Sequence, residues 1–264
     1  MLHSIQEADK IIRTGCNPVI ITCNDYNTYV CKYKTGMGPA ISLFCEFIGS
    51  HFAKLWSINN PGFKCIKISR THIPVKFNLN GFYFDTTCFG TLFIRNSEAI
   101  SRINEDYFRK GLQKSNYTNL LKIGLFDLWL ANEDRHQSNY NLLYDTQTKL
   151  FVPIDHDKIF NSRILNQRIE PLTEQESLLR SPLMILYSSG YKFPSTFQSE
   201  YRDYFYFCIN NCHRNLSRIY DEIPLDWNIS EVTFHQKMDE LFSEQWLTIV
   251  YNNFLAYLQY NIND

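Results

Sequence analysis

Residues 132–160 read NEDRHQSNYNLLYDTQTKLFVPIDHDKIF, and this stretch decides the fold. It follows residues 117–131, where leucines and aromatic residues occur on nearly every side of a predicted helix. A helix of that kind is buried in the core of a protein. The chain therefore leaves a buried helix at Asn132 and enters a polar segment that carries Asp134 and Asn139.

The second half of this stretch predicts a β-hairpin, with strands at Tyr140–Tyr144 and Lys149–Ile154 around a turn. Pairing of Tyr144 with Lys149 across the turn places Asn139 opposite Ile154 and beside Asp155. Neighbours of this kind lie roughly 5–8 Å apart at Cα. The open end of the hairpin is thus expected to bring an amide and a carboxylate together, just downstream of Asp134.

This arrangement suits phosphoryl transfer. Magnesium prefers oxygen ligands and is held by one or two protein groups together with phosphate oxygens. Asn139 and Asp155 can supply the protein ligands. Asp134 can accept the proton of an attacking hydroxyl group. In kinases, D-x4-N followed by an Asp at a strand end is the order of base, metal-binding Asn and metal-binding Asp. The alternative is an ordinary polar turn before a hairpin, because D-x4-N alone occurs by chance in many proteins.

The motifs NEDRHQSNYNLL and VPIDHDKIF resemble the catalytic segment of HipA-like kinases. They are also similar to the D-R-H-x-x-N and I-D-F-G pattern of phosphatidylinositol kinases. HipA-like sequences often carry I-D-H, as Ile154-Asp155-His156 does here. The resemblance implies that Asp134 is the catalytic base, that Asn139 and Asp155 are magnesium ligands, and that ATP and Mg²⁺ are the cofactors.

The same resemblance implies an α+β, two-lobed protein-kinase-like fold, with a β-rich N-lobe at residues 1–95 and a helical C-lobe at residues 96–264. The residue pattern agrees, since the first hundred residues read mostly as strand and the remainder mostly as helix. The strands are predicted at residues 19–22, 28–34, 65–68 and 82–93, and the helices at 40–56, 117–131, 173–187, 195–215 and 230–261, the last with room for a break.

Two residues of the N-terminal half complete the resemblance. Kinases hold the α- and β-phosphates with a lysine that a helical glutamate orients. Tyr29-Val30-Cys31-Lys32 matches the family's strand, and Glu46 lies on the helix that follows the Gly36-Met37-Gly38 turn. Lys32 and Glu46 are therefore the candidates for this pair, with Lys34 as the alternative lysine on the same strand face. Taken singly, each is better explained as a solvated charge.

The sequence also departs from the kinase pattern. No G-x-G-x-x-G precedes Lys32, so the candidate phosphate loop is the segment 14–17, TGCN, in which Gly15 and its neighbours would offer backbone amides. Asp157 stands where D-F-G has its glycine. It could be a second metal ligand, but we interpret it as a surface acid.

Charge and composition exclude several classes of function. The 264 residues carry a net charge of −1, which argues against a general nucleic-acid binder. No apolar run approaches the length of a membrane span, and residues 1–11 do not resemble a secretory signal. We therefore expect a cytoplasmic protein without nucleic-acid or membrane contacts. Cys208, Cys212 and His213 lack the further ligands of a zinc site, so the two cysteines are interpreted as buried side chains.

The leading functional interpretation is a protein Ser/Thr kinase. The HipA-like family includes a toxin held by an antitoxin, so the resemblance implies a protein substrate and raises the expectation of a toxin role with an antitoxin or other regulatory partner. A small-molecule or lipid-headgroup kinase is the alternative, because it shares D-R-H-x-x-N. A pocket walled by the C-terminal helices would favour that alternative, whereas an open groove would favour a protein substrate. A pseudokinase that only binds nucleotide is the third possibility.

Overall fold

The structure is a computed structural model that describes residues 1–104, 114–184 and 194–263. Its first part is built on a six-stranded sheet with the order β1-β5-β6-β4-β3-β2. Neighbouring strands run antiparallel except for β1 and β5, which are parallel. The strands are β1 Leu2–His3, β2 Lys10–Ile11, β3 Val19–Thr22, β4 Thr28–Lys32, β5 Phe63–Lys67 and β6 Cys88–Leu92.

The predicted hairpin near the N-terminus is confirmed, since β3 and β4 pair directly, with Val19 opposite Cys31. The strand predicted over residues 82–93 is only half correct. Gly81–Phe84 is a 3₁₀ turn instead, and the side chain of Asn80 caps it by accepting a hydrogen bond from the N–H of Phe82 at 3.0 Å. That local side-chain bond competes with strand formation.

Helix α1, Ile41–Leu55, follows the sheet's second hairpin and carries Glu46. Phe44, Ile48 and Phe52 recur every fourth position and are fully buried, as an amphipathic helix requires. The helix ends at Trp56, whose ring stacks on Trp129 at 5.4 Å. The backbone oxygen of Trp56 also accepts a hydrogen bond from the Tyr204 hydroxyl at 2.7 Å. Helix α1 is therefore anchored to the C-terminal half, which fixes the position of Glu46.

Helix α2, Lys114–Leu130, is the buried helix that the sequence predicts. Its apolar side chains are at most 2% exposed, including Leu120, Ile123 and Phe126. It delivers the chain to the polar segment that begins at Asn132.

A second, three-stranded sheet has the order β7-β8-β9. Its strands are Ser97–Ala99, Leu142–Asp145 and Leu150–Pro153, and both pairings are antiparallel. Strand β7 joins the hairpin to the segment that leaves the first sheet. The boundary expected between two lobes, at residues 95–96, lies just before β7.

The β8–β9 hairpin exists, but its predicted register is wrong by two residues. Tyr144 pairs with Phe151, not with Lys149. The reason is the turn, where Lys149 has a φ of +57° and the Asp145 carboxylate accepts hydrogen bonds from Gln147 and Thr148. Because the register moves by an even number, each side chain keeps its face of the sheet.

The register change decides which asparagine faces the end of β9. Asn141 lies opposite Ile154 and accepts a hydrogen bond from its N–H at 3.0 Å. Asn139, which the predicted register set in that place, belongs to the loop before β8. The proximity of Asn139 to Asp155 therefore does not come from strand pairing.

The C-terminal part is helical. Helix α3 follows the prediction for residues 195–215, whereas the short helix α4 was not predicted. Helices α5 and α6 follow the prediction for 230–261, with the break near Phe242. Cys208 and Cys212 are buried on α3, as interpreted from the sequence. The helices are α3 Phe197–Arg214, α4 Leu216–Asp221, α5 Glu231–Leu241 and α6 Glu244–Asn263.

The helix predicted over residues 173–187 is wrong over residues 173–181, although residues 182–184 are helical. Two 3₁₀ turns, Glu174–Glu176 and Leu178–Arg180, stand there instead. Ser177 separates them, because its hydroxyl accepts a hydrogen bond from the N–H of Leu179 at 3.2 Å. The remainder of that prediction, from residue 185, lies outside the described residues.

The architecture is thus mixed, with curled sheet in the first part and helices in the second, as the sequence predicts. Within the described ranges, no helix combines the length and the apolar character that crossing a membrane requires.

Candidate active site

A cavity of about 710 Å³ opens between the first sheet and the β8–β9 hairpin. Part of its wall is apolar, with Ile12, Val30 and Leu143, and the remainder is strongly polar. Every site residue proposed from the sequence lines it, namely Gly15, Lys32, Glu46, Asp134, Asn139 and Asp155. Lys34, the alternative lysine, does not belong to this lining.

Lys32 lies at the end of β4 and connects two acids in the cavity. Its ammonium group bonds to the Glu46 carboxylate and lies 2.5 Å from Asp155 Oδ1. The second oxygen of Glu46 accepts a hydrogen bond from the backbone N–H of His156 at 3.1 Å. Strand β4, helix α1 and the segment after β9 therefore meet at one lysine–glutamate pair.

The charges of this cluster shift one another's pKa values. Burial opposes the charged form of Lys32, but Glu46 and Asp155 outweigh it and raise the pKa of the ammonium group. Burial likewise opposes ionisation of Asp155, yet the bond to Lys32 lowers the pKa of that carboxyl to about 2. For Glu46, burial dominates and raises the pKa despite Lys32. Asp155 is therefore a firmly ionised carboxylate.

A close approach between α1 and His156 sets the depth of the cavity. Gly49 packs on the His156 side chain so tightly that an added Cβ would lie 2.5 Å from His156 Cβ. The His156 ring is buried and contacts Phe126 edge-on at 5.9 Å. Only glycine at position 49 lets the helix come this near to the chain segment beside Asp155.

Substitution Gly49→Ala is therefore expected to lower the free energy of unfolding by about 1–3 kcal/mol, because the clash involves an atom next to the backbone and neither element can yield cheaply. Urea unfolding monitored by tryptophan fluorescence measures the change. Gly36→Ala is the matched control, since nothing lies within 4 Å of a Cβ there. Equal stability of the two variants would contradict the packing described for His156.

Asp134 is half-buried and bonded to a residue that the sequence analysis missed. The Asn141 amide donates to the backbone oxygen of Asp134 at 3.1 Å and to its Oδ2 at 3.0 Å. Asn141 thus holds the orientation of the Asp134 carboxylate through one of its two oxygens. Asn141 was not predicted as a site residue, because only the observed register places it directly before β8 and opposite Ile154.

Asn139 is held by a tight loop. Its backbone exchanges hydrogen bonds with His136 at 2.9 and 3.0 Å. Arg102 fastens the tip of the same loop, donating to Gln137 O at 3.0 Å and Ser138 Oγ at 2.9 Å. The half-buried Asn139 side chain thus reaches the cavity from a constrained backbone.

Asp157 is not a surface acid, and that interpretation is wrong. The residue is 3% exposed and lines the cavity. Arg163 binds it twice, through Nη2 to Oδ2 at 2.5 Å and through Nε to the backbone oxygen at 2.9 Å. Burial raises the pKa of Asp157, Asp155 raises it further, and Lys32 and Arg163 act against this.

Arg163 reaches Asp157 because the chain turns left-handed between them. Phe160, Asn161 and Ser162 all have positive φ, between +49° and +60°. Glu133 holds this turn by accepting hydrogen bonds from the Asn161 amide at 3.1 Å and the Ser162 hydroxyl at 2.6 Å. Such backbone persists only where the surroundings over-determine it, and Glu133 directly precedes Asp134.

The donor set suits a hard divalent cation. Glu46, Asp155 and Asp157 each offer an oxygen, and these oxygens lie within 4.8 Å of one another. Three acids face two cations, Lys32 and Arg163, so the cluster retains negative charge. Carboxylate and amide oxygens are the ligands that Mg²⁺ prefers, and the residues present therefore fit such an ion.

The loop of Gly15 forms another edge of the cavity. Thr14, Gly15 and Cys16 belong to the lining. Asn17 ends the loop with a φ of +45°, and its backbone oxygen accepts a hydrogen bond from the Tyr33 hydroxyl at 3.0 Å. An added Cβ at Gly15 would have no atom within 4 Å, so the backbone there is open to a ligand.

Comparison with known proteins identifies the family of this chain. A family model described as HipA-like kinase matches residues 5–181. The chain belongs to the HipA-like kinase family. The resemblance seen in the sequence is thereby confirmed.

Solved structures extend the likeness over nearly the whole HipA-like chain. It is similar to the crystal structure of a Helicobacter pylori proinflammatory kinase, CtkA, with a TM-score of 0.57, 12% identity and 96% of each chain covered. At this identity the likeness shows the kinase-like fold alone. A second similar structure is the open conformation of CtTel1, with 16% identity and a TM-score of 0.41. The match covers 96% of this chain and 12% of that one. None of the curated proteins is significantly similar.

Proposed function

We propose that this HipA-like kinase binds ATP together with Mg²⁺ and transfers the γ-phosphoryl group to a Ser or Thr hydroxyl of a protein. One observation carries the proposal: a lysine–glutamate pair, two oxygen ligands and a half-buried carboxylate share one cavity that also has an apolar wall. The apolar wall suits a nucleotide base and the charged wall suits its phosphates.

Lys32 is the residue we assign to the α- and β-phosphates, with Glu46 orienting it. Asp155 and Asn139 would hold the metal, and Asp157 lies close enough to share in this role. When bound, Mg²⁺ neutralises charge on the phosphate oxygens. The backbone amides near Gly15 are the candidate donors to the phosphates from the opposite edge.

Asp134 is assigned to the acceptor hydroxyl. Its carboxylate takes the hydroxyl proton as that oxygen bonds to the γ-phosphorus, and the bond from this phosphorus to the β,γ-bridging oxygen breaks. The bridging oxygen keeps the electron pair and leaves as part of ADP. Asn141 supports the step by keeping one Asp134 oxygen bonded and leaving the other free.

The shape of the cavity favours a protein acceptor. All the lining comes from residues 12–163, so none of the described C-terminal helices walls the site. A small-molecule kinase would need such a wall to enclose its acceptor. We further propose a cytoplasmic role under the control of a partner, such as an antitoxin, and this part rests on the family alone.

The proposal is tested by incubating the purified chain with Mg²⁺, γ-labelled ATP and a cell lysate, followed by phosphosite mapping. Wild type is expected to place label on Ser or Thr of discrete proteins, and Asp134→Asn is expected to place none above background. Asp239→Asn is the matched control, because Asp239 is exposed on α5 and outside the cavity. Label in small molecules only would overturn the protein acceptor, and bound ATP without any turnover would indicate a pseudokinase.

A further inference from the structure

The most deeply buried charges next to the cavity belong to Arg135 and Asp127. Arg135 is 0% exposed and Asp127 is 1% exposed. Their side chains are bonded to each other, and Asn132 donates a further hydrogen bond to Asp127 at 3.0 Å. Burial raises the pKa of Asp127 while Arg135 acts against this. Buried charge of this kind is costly unless it is paired.

The guanidinium group of Arg135 does more than neutralise Asp127. Nη2 donates to the backbone oxygen of Ile154 at 2.8 Å, and Nε donates to the backbone oxygen of Asn141 at 3.4 Å. Those two carbonyls lie at the open end of the hairpin, one directly before β8 and the other directly after β9. Arg135 therefore links α2 to both strands at the point where they part.

The Ile154 carbonyl belongs to the peptide that leads into Asp155, and this peptide needs support. Asp155 has a φ of +60°, a left-handed conformation that is unfavourable for residues other than glycine. Its two flanking peptides are both held: the Ile154 oxygen by Arg135 and the His156 N–H by Glu46. These bonds point the Asp155 side chain at Lys32 and into the cavity.

We propose that Arg135, held in place by Asp127, is a positioning residue that fixes the backbone of Asp155 for metal binding. The inference rests on the proposed function, since it assigns Asp155 to the metal of the ATP complex. Arg135 touches no ligand itself, and it acts through the carbonyl of Ile154. Its planar fork can reach one carboxylate and two carbonyls at once, which the single ammonium group of lysine cannot.

The test measures the Mg²⁺ concentration that half-maximally tightens binding of a non-hydrolysable ATP analogue, adenylyl imidodiphosphate, by calorimetry. Arg135→Lys retains a positive charge beside Asp127 but loses the planar guanidinium group. It is expected to raise that concentration about 10–100-fold, as for other residues that orient metal ligands. Binding of the analogue in EDTA is expected to stay unchanged, because Lys32 is untouched.

A second variant separates positioning from stability. Asp127→Leu combined with Arg135→Met removes both buried charges, and such replacements often leave a protein folded. The folded double variant is expected to show the same rise in Mg²⁺ requirement, because the Ile154 carbonyl still lacks its Arg135 donor. Lys237→Met is the matched control: Lys237 is a buried cation bonded to Glu240 and to the Gln167 carbonyl, away from the cavity lining.

The outcomes are distinct. A raised Mg²⁺ requirement in Arg135→Lys, with Lys237→Met like wild type, supports the positioning role. A wild-type Mg²⁺ requirement in Arg135→Lys overturns it, whether or not the double variant folds. If Mg²⁺ fails to tighten binding even in wild type, the proposed function itself fails instead.

Discussion

Replacement of Asp134 by Asn is expected to lower kcat by about 10²–10⁴-fold, the usual contribution of a positioned general base. The free energy of unfolding is expected to change by no more than about 0.5 kcal/mol, since the new amide oxygen can still accept the hydrogen bond from Asn141. KM for ATP is expected to stay near the wild-type value because Lys32, Glu46 and Asp155 are unaffected. Initial rates of phosphopeptide formation and urea unfolding measure these quantities.

The exposed substitution Asp239→Asn provides the comparison, with the same loss of one charge on a helix surface. It is expected to keep the full rate. An Asp134→Asn variant as active as Asp239→Asn would show that another group accepts the proton.

Substitution Asp155→Ala is expected to abolish the tightening of ATP binding by Mg²⁺. It removes an ionised carboxylate, whose pKa Lys32 lowers to about 2, from the acid cluster. The ion pair of Lys32 with Glu46 remains, so the variant is expected to fold. In EDTA it is expected to bind ATP at least as tightly as wild type, since one negative charge near the phosphates has gone.

Calorimetric titrations with and without Mg²⁺ measure this difference, and Asp239→Ala serves as the control. Unchanged affinity for the Mg²⁺–ATP complex in Asp155→Ala would remove Asp155 from the metal site and transfer that role to Glu46 and Asp157.

The sequence predicted the main elements because their patterns are local. The fully apolar α2, the β3–β4 hairpin and the order of Asp134, Asn139 and Asp155 can all be found without coordinates. The kinase-like fold followed from the resemblance that these motifs carry. The first part of the helix predicted over residues 173–187 failed because Ser177 forms a local bond that hydrophobic periodicity does not reveal.

The register of the β8–β9 hairpin shows a limit of pattern reasoning. Lys149 adopts positive φ in the turn, which is uncommon for a lysine and has no signature in the sequence. The resulting two-residue shift places Asn141 opposite Ile154, where Asn139 was expected. Strand pairing therefore does not bring Asn139 to Asp155. The burial of Asp157 was not predicted for a similar reason: Arg163 reaches it through a left-handed turn that has no signature in the sequence.

The burial of Arg135 did have a signal in the sequence. Asp127 is a lone acid within the apolar run LFDLWL of α2. A carboxylate on a helix that is buried all round needs a partner, and Arg135 is a cation eight residues on. Arg135 lies between Asp134 and Asn139 in the sequence, but its side chain is fully buried.

A crystal structure of the wild-type chain with Mg²⁺ and adenylyl imidodiphosphate tests the central claim most directly. We expect the phosphates beside Lys32 and a metal ion about 2.0–2.1 Å from an oxygen of Asp155, with Asn139 or Asp157 supplying a further ligand. Nucleotide bound outside this cavity, or a metal ion without contact to Asp155, would contradict the assignment of the site.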